Sequence, residues 1–81
     1  MTREQAYERV NKVFRDIFDD ESIIVIDTTT ADNIEDWDSL EHINLIVALE
    51  EEFGMKFTMG EVIGMYNVGE AVDIITARAT R

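Results

Sequence analysis

A serine just inside the start of a helix, preceded by an aspartate, is the arrangement in this chain on which chemistry could be built. Asp38 stands three residues before Glu41 and ahead of an apolar stripe, the pattern of a helix N-cap, so Ser39 falls in the first turn. Backbone N–H groups there are unpaired and the helix dipole presents its positive end, which would favour a phosphate ester on Ser39. Ordinary capping accounts for the same residues. Other reactive groups are scarce. The chain has no cysteine, hence no thiolate, thiolate metal site or disulfide of its own. His42 is its single histidine, and neither a G-x-S-x-G turn nor a phosphate-cradling glycine loop occurs, so the chain does not read as an enzyme. His42 reads as a semi-exposed neighbour of the serine, Trp37 as a loop anchor, and Tyr7 and Tyr66 as core or boundary residues.

The elements that position this serine are legible from their caps. Thr2 with Gln5, Asp38 with Glu41, Thr58 with Glu61 and Asn67 with Glu70 each place a capping residue three positions before Glu or Gln. The first helix carries Ala6, Val10, Val13, Phe14, Ile17 and Phe18 inward and ends near Phe18 to Asp20. The second runs from Ser39 to Phe53 and stops at Gly54. A short third spans Met59 to Met65, and the fourth runs from Val68 to Ala79 with Val68, Ala71, Val72, Ile75 and Ala79 inward. The expectation is an all-α four-helix bundle, three longer helices and one short, forming a single domain over residues 1–81. The connection from Asp19 to Trp37 has no second strand to pair with Ile23 to Ile26. It should therefore pack over the bundle as an ordered loop, closed down by Ile34 and Trp37.

Charge narrows the partners. Eighteen acids against seven Lys and Arg give a net charge of -11, which repels phosphate backbones and anionic lipid surfaces, so nucleic acid is not an expected ligand. No apolar run approaches the ~18 residues of a membrane span and the N-terminus lacks a secretory apolar core, pointing to a cytoplasmic monomer. Between Arg15 and Lys56 there are 13 acids and no Lys or Arg. This is either a solvated surface or a docking face for basic partners.

Helix two has one apolar face too many. At about 100° per residue, Leu45, Ile46, Leu49 and Phe53 form a core stripe with His42 at its N-terminal end. Leu40, Ile43 and Val47 form a second stripe bordered by Glu50, Glu51 and Asn44. Either the long loop covers this second stripe or it awaits a partner with an apolar groove and a basic rim.

The run Asp38-Ser39-Leu40-Glu41-His42-Ile43-Asn44-Leu45-Ile46-Val47-Ala48-Leu49-Glu50-Glu51-Glu52-Phe53-Gly54 resembles the acyl carrier protein family. The resemblance extends over essentially all 81 residues and is most specific from Trp37 to Gly54. It implies a non-catalytic carrier in which Ser39 bears 4'-phosphopantetheine through a phosphodiester. A separate phosphopantetheinyl transferase would add the arm from coenzyme A, and the arm's thiol would hold acyl groups as thioesters. By the same resemblance, Asp38 helps the transferase engage the serine. Leu40, Glu41, Ile43, Val47, Glu50 and Glu51 would dock and steer basic faces of acyl-transferring and acyl-modifying enzymes. Ile34-Glu35-Asp36-Trp37 replaces the glycine and apolar lead-in usual in fatty-acid-synthesis carriers, Asn44 replaces an acid, and the third helix offers only Glu61. These departures point to a specialised pathway partner rather than housekeeping fatty acid synthesis, within a function that serves enzymes of fatty acid, polyketide or a specialised acyl pathway. The glycine pair of many peptidyl carriers is absent, which disfavours an amino-acid cargo.

Two further readings follow from the residues. Met59 and Met65 could form a deformable wall against Ile46, Leu49, Val62 and Ile75 and shelter an acyl chain, or these residues could simply fill the core. The alternative to the carrier is an unmodified acidic adaptor that binds basic or amphipathic helices through the same ridge. The carboxylates from Asp32 to Asp38 fail the EF-hand pattern, so no metal site is expected.

Overall fold

The structure, a computed structural model, describes residues 1–81. Helices α1 (Arg3–Phe18), α2 (Ser39–Phe53), α3 (Met59–Gly64) and α4 (Val68–Arg78) follow one another with no strand, and α1 packs against both α2 and α4. Each begins where its capping residue stands. The side chains of Thr2, Asp38, Thr58 and Asn67 accept the backbone N–H of Gln5, Glu41, Glu61 and Glu70 respectively. Helix α1 ends at Asp19 in the left-handed conformation. Helix α2 ends at Gly54 with φ 59°, where a Cβ would also lie 2.6 Å from the Thr80 hydroxyl.

The core is assembled from one face of each long helix. Ala6, Val10, Val13, Phe14 and Phe18 of α1 meet Leu45, Ile46, Leu49 and Phe53 of α2 and Val68, Val72 and Ile75 of α4. Ile17, expected inward, is only half-buried, because it lies at the margin of the α1 stripe. Two core residues went unassigned in the sequence: Met55 and Phe57 are buried on either side of exposed Lys56. That in-out-in alternation belongs to a short extended connection, which a search for helical spacing passes over.

The long loop is ordered and helical only at one point, a 3-10 turn over Ala31–Asn33 that Thr30 caps and the sequence did not reveal. It packs by a few anchors. Val25 enters the core while Ile24 and Ile26 stay exposed, so the Ile23 to Ile26 run covers the bundle with one side chain in two and not as a block. Asn11 fixes it by accepting the Val25 N–H at 2.6 Å through Oδ1 and donating to the Tyr7 carbonyl at 2.9 Å. Further along, the carbonyls of Asp27 and Thr29 accept the N–H groups of Gly69 and Val68, satisfying the start of α4. Gly69 permits that approach, since a Cβ there would lie 2.9 Å from the Asp27 carbonyl oxygen. Tyr66, expected in the core or at its boundary, is instead 77% exposed, on the connection between the end of α3 at Gly64, not Met65, and the start of α4. At the other end α4 closes one residue early, at Arg78, with Ala79 as its cap and packed against the core.

Because Val25 is buried, removing its partner leaves an unpaired N–H in a dry site. Asn11→Ala should therefore lower stability by about 1–3 kcal/mol, read by urea unfolding, with faster amide exchange at Val25 than at the α1 core amides.

Candidate functional site

Ser39 is the first residue of α2 and is exposed. Asp38 Oδ1 accepts the Glu41 N–H at 2.8 Å and the Asp38 carbonyl accepts the His42 N–H at 2.8 Å, while the N–H groups of Ser39 and Leu40 stay unclaimed within the fold. Two free donors and the positive end of a 15-residue helix thus converge beside the serine hydroxyl. The hydroxyl itself makes no hydrogen bond in the fold and is free to be modified without disturbing the cap.

What holds this corner is aromatic. Trp37 packs edge-on against Phe14 at 5.3 Å between centroids and lies 6.3 Å from Phe18. Its indole N–H donates to His42 Nδ1 at 3.0 Å, and His42 Nε2 lies 3.2 Å from the Val62 carbonyl oxygen. An indole N–H only donates and a carbonyl only accepts, so this pair of partners assigns the proton to Nε2 of His42. The histidine is a strut between the start of α2 and α3, half-buried and fully committed, and not a free base. Its role was not legible in the sequence beyond its place at the end of the core stripe.

Ser39 opens on a groove of about 490 Å³ between α2 and α3, lined mainly by apolar side chains: Trp37, Ile43, Val62, Ile63, Met65 and Tyr66, with Asp38 and His42 at the serine end. An exposed, uncommitted hydroxyl beside free N–H donors and a mainly apolar groove fits a phosphodiester that continues into a flexible chain. Of the six residues proposed to shelter an acyl chain, Val62 and Met65 line this groove. Ile46, Leu49 and Ile75 are packed in the core, and Met59 is 78% exposed and faces away from it. Met59 is therefore no interior wall: in a six-residue helix the inward position falls to Val62.

The second stripe of α2 is uncovered. Leu40 is 70% exposed, with Ile43 and Val47 also exposed, so the loop does not screen it. Its bordering acids are less free than the sequence suggests. Glu50 is turned inward, its Oε2 accepting the Phe57 N–H at 2.8 Å with Lys56 Nζ 3.9 Å from Oε1. Glu41 accepts from Asn44 at 3.1 Å and stays at the rim, and Glu51 is exposed. On α3, both carboxylate oxygens of Glu61 are gripped by Arg78, at 2.5 and 2.6 Å. That grip, helped by hydrogen bonding from Thr58, pulls the Glu61 carboxyl down to about 2 from 4.5.

No protein-family model matches the sequence. Individual proteins do. An acyl carrier protein of Petrotoga mobilis is 30% identical over 79 residues, covering 96% of this chain and 92% of its own. The solution structure of a holo acyl carrier protein from Geobacter metallireducens superposes with a TM-score of 0.85 at 40% identity, over 90% of this chain and 84% of that one.

The Glu61–Arg78 grip favours the ionised carboxyl in the fold, so its stabilisation is complete above pH 4.5 and is lost as pH falls through about 2. In acid titrations of unfolding, Glu61→Gln should lose less stability than wild type between those two values, while at pH 7 wild type should be the more stable.

Proposed function

The chain belongs to the acyl carrier protein family, and from that premise we propose that Ser39 is the attachment point of 4'-phosphopantetheine. The family's members are carriers and not enzymes. The observation that supports the assignment is the exposed hydroxyl of Ser39 beside two unclaimed N–H groups at the start of α2. When bound, the arm supplies the thiol this cysteine-free chain lacks and on which acyl groups are held as thioesters. Loading forms a bond between Ser39 Oγ and phosphorus as the pyrophosphate of coenzyme A breaks. Adenosine 3',5'-bisphosphate leaves, and the hydroxyl proton passes to the transferase or to water.

The chain's own residues then have defined tasks. Asp38 caps α2 and so holds the Ser39 and Leu40 N–H groups outward. Leu40, Ile43 and Val47 offer an apolar ridge to the transferase and to acyl-transferring and acyl-modifying enzymes. Glu41 and Glu51 steer basic faces towards it, whereas Glu50 acts mainly as an acceptor for Phe57. Long-range attraction of this kind raises association rates and is screened by salt, which suits brief contacts with successive partners. Val62 and Met65 give the arm an apolar groove in which to lie. The whole of residues 1–81 acts as one carrier domain and a monomer, and we place it in the cytoplasm, where coenzyme A is at hand. No helix is long and apolar enough to cross a membrane. The Ile34-Glu35-Asp36-Trp37 lead-in, Asn44 and the neutralised α3 support a specialised acyl pathway over housekeeping fatty acid synthesis.

Incubation with coenzyme A, Mg and a broad-specificity transferase should add the mass of one arm to wild type and none to Ser39→Ala. Because the Ser39 side chain carries no bond of the fold, the variant should unfold at the wild-type temperature. An unmodified wild type, or an equal adduct on the variant, contradicts the assignment.

A further inference from the structure

The chain holds one histidine and one tryptophan, and the two are bonded to each other. The Trp37 indole N–H donates to His42 Nδ1 at 3.0 Å, and the other ring nitrogen, Nε2, donates to the Val62 carbonyl at 3.2 Å. Only one ionisation state of the ring permits this. A neutral imidazole has one acceptor and one donor, as these two partners require, whereas an imidazolium has two donors. A proton on Nδ1 would meet the indole N–H donor against donor across the same 3.0 Å, while the bond from Nε2 to Val62 would persist. The strut therefore fails at its indole end and holds at its α3 end.

The two sides of the strut are unequally held. Trp37 is buried and lies against the rings of Phe14 and Phe18. Helix α3 has six residues, two of them glycine, and none is buried. Broad helix packing in the bundle is α1 on α2 and α1 on α4, with α3 outside it. Apart from half-buried Val62 and Met65, what ties α3 down is the His42 bond and the Arg78 grip on Glu61. When the ring and the indole part, α3 is the side that gives. No charged or titratable neighbour is bonded to the ring in their place. On its own helix and just ahead of it, Asp38 is committed to the Glu41 N–H, Glu41 accepts from Asn44, and Asp36 is exposed. From α3 and α4, Glu61 and Arg78 hold each other, α1 brings the uncharged rings of Phe14 and Phe18, and Tyr66 is the one phenol on the groove, which no Lys or Arg lines.

We propose that His42 is a proton-operated latch on the groove beside Ser39. With the ring neutral, α3 is tied through Val62 to the buried indole and the groove keeps its width. With the ring charged, the imidazolium leaves Trp37 and moves out with α3, so that Val62 and Met65 draw away from Trp37 and an apolar chain meets a wider slot. Among side chains, imidazole alone ordinarily changes charge between about pH 5 and 8, and this chain has neither a second imidazole nor a thiol. A single site therefore sets the latch. Its action does not depend on what Ser39 carries, so a chain that accepts no arm would leave it standing.

The test is a titration of the unmodified protein from about pH 8 to about pH 5, followed by NMR of the imidazole, of the Trp37 indole N–H and of amide exchange. Because histidine and tryptophan each occur once, both ring signals belong to this pair. The indole N–H resonance should shift with the midpoint of ring protonation. Protection of the Val62 amide, which is bonded to the Thr58 carbonyl, should fall about tenfold, as for the loss of one ordinary hydrogen bond, while the α1 amides from Val10 to Phe14 keep theirs. His42→Gln retains an acceptor and a donor but does not titrate, so its α3 should stay protected throughout. His42→Lys offers donors alone and should show the acid pattern at neutral pH, and Trp37→Phe, which removes the opposing N–H, should leave α3 indifferent to ring protonation. A ring that gains its proton while the indole and Val62 signals stand still would overturn the latch. So would a ring still neutral at pH 5, α1 amides that lose protection together with α3, or a His42→Gln chain that loosens in acid as wild type does.

Discussion

The position of Ser39 depends on one indole. Trp37 is clamped between the Phe14 and Phe18 rings of α1 on one side and the His42 imidazole on the other, two residues before the serine. That clamp converts a loop into a fixed entry to α2, and only from a fixed entry can Asp38 cap the helix and leave the Ser39 and Leu40 N–H groups pointing outward. Through His42 the same clamp reaches the Val62 carbonyl and sets the spacing between α2 and α3, hence the width of the groove. Aromatic packing, helix start and groove are therefore one cooperative unit, in which the reactive atom is exposed while the indole that anchors its placement is buried.

Charge in this protein is plentiful, and part of it is used within the fold. Glu52 pairs with Arg9, Glu50 caps the connection to α3, Glu61 is gripped by Arg78, and Asp27 holds Arg3 and the Tyr7 hydroxyl. Hydrogen bonding from Tyr7 and then Arg3 keeps the Asp27 carboxyl below its ordinary range. The acids open to a partner are therefore fewer than the eighteen in the sequence. Those left near Ser39 lie along α2 and just before it, so the electrostatic field around the site is lopsided.

How far this was readable follows from the range of the interactions. Caps are local, three residues long, and all four helices begin where Thr2, Asp38, Thr58 and Asn67 stand. The doubled apolar face of α2 is equally local, and Leu40, Ile43 and Val47 are exposed as a second stripe should be. What the sequence hid is long-range. Nothing near Glu61 announces Arg78 seventeen positions on, and nothing near Glu50 announces that it turns inward to Phe57. Met59 was misplaced because a six-residue helix shows too little periodicity to tell its inward position from its neighbours. The strut through His42 needed the third helix in place before its second partner existed.

The central claim is that one hydroxyl, at the first residue of α2, carries the arm in the cell. No Lys or Arg lies between Arg15 and Lys56, so trypsin releases Ser39 in a single long peptide that also contains Ser22 and three threonines. Fragmenting that peptide by tandem mass spectrometry, from protein purified out of its native source, locates any added group to a residue. The account requires a phosphopantetheine mass, free or acylated, on Ser39 and on no other residue. The same mass on Ser22 or a threonine, or a peptide bare throughout, would contradict it.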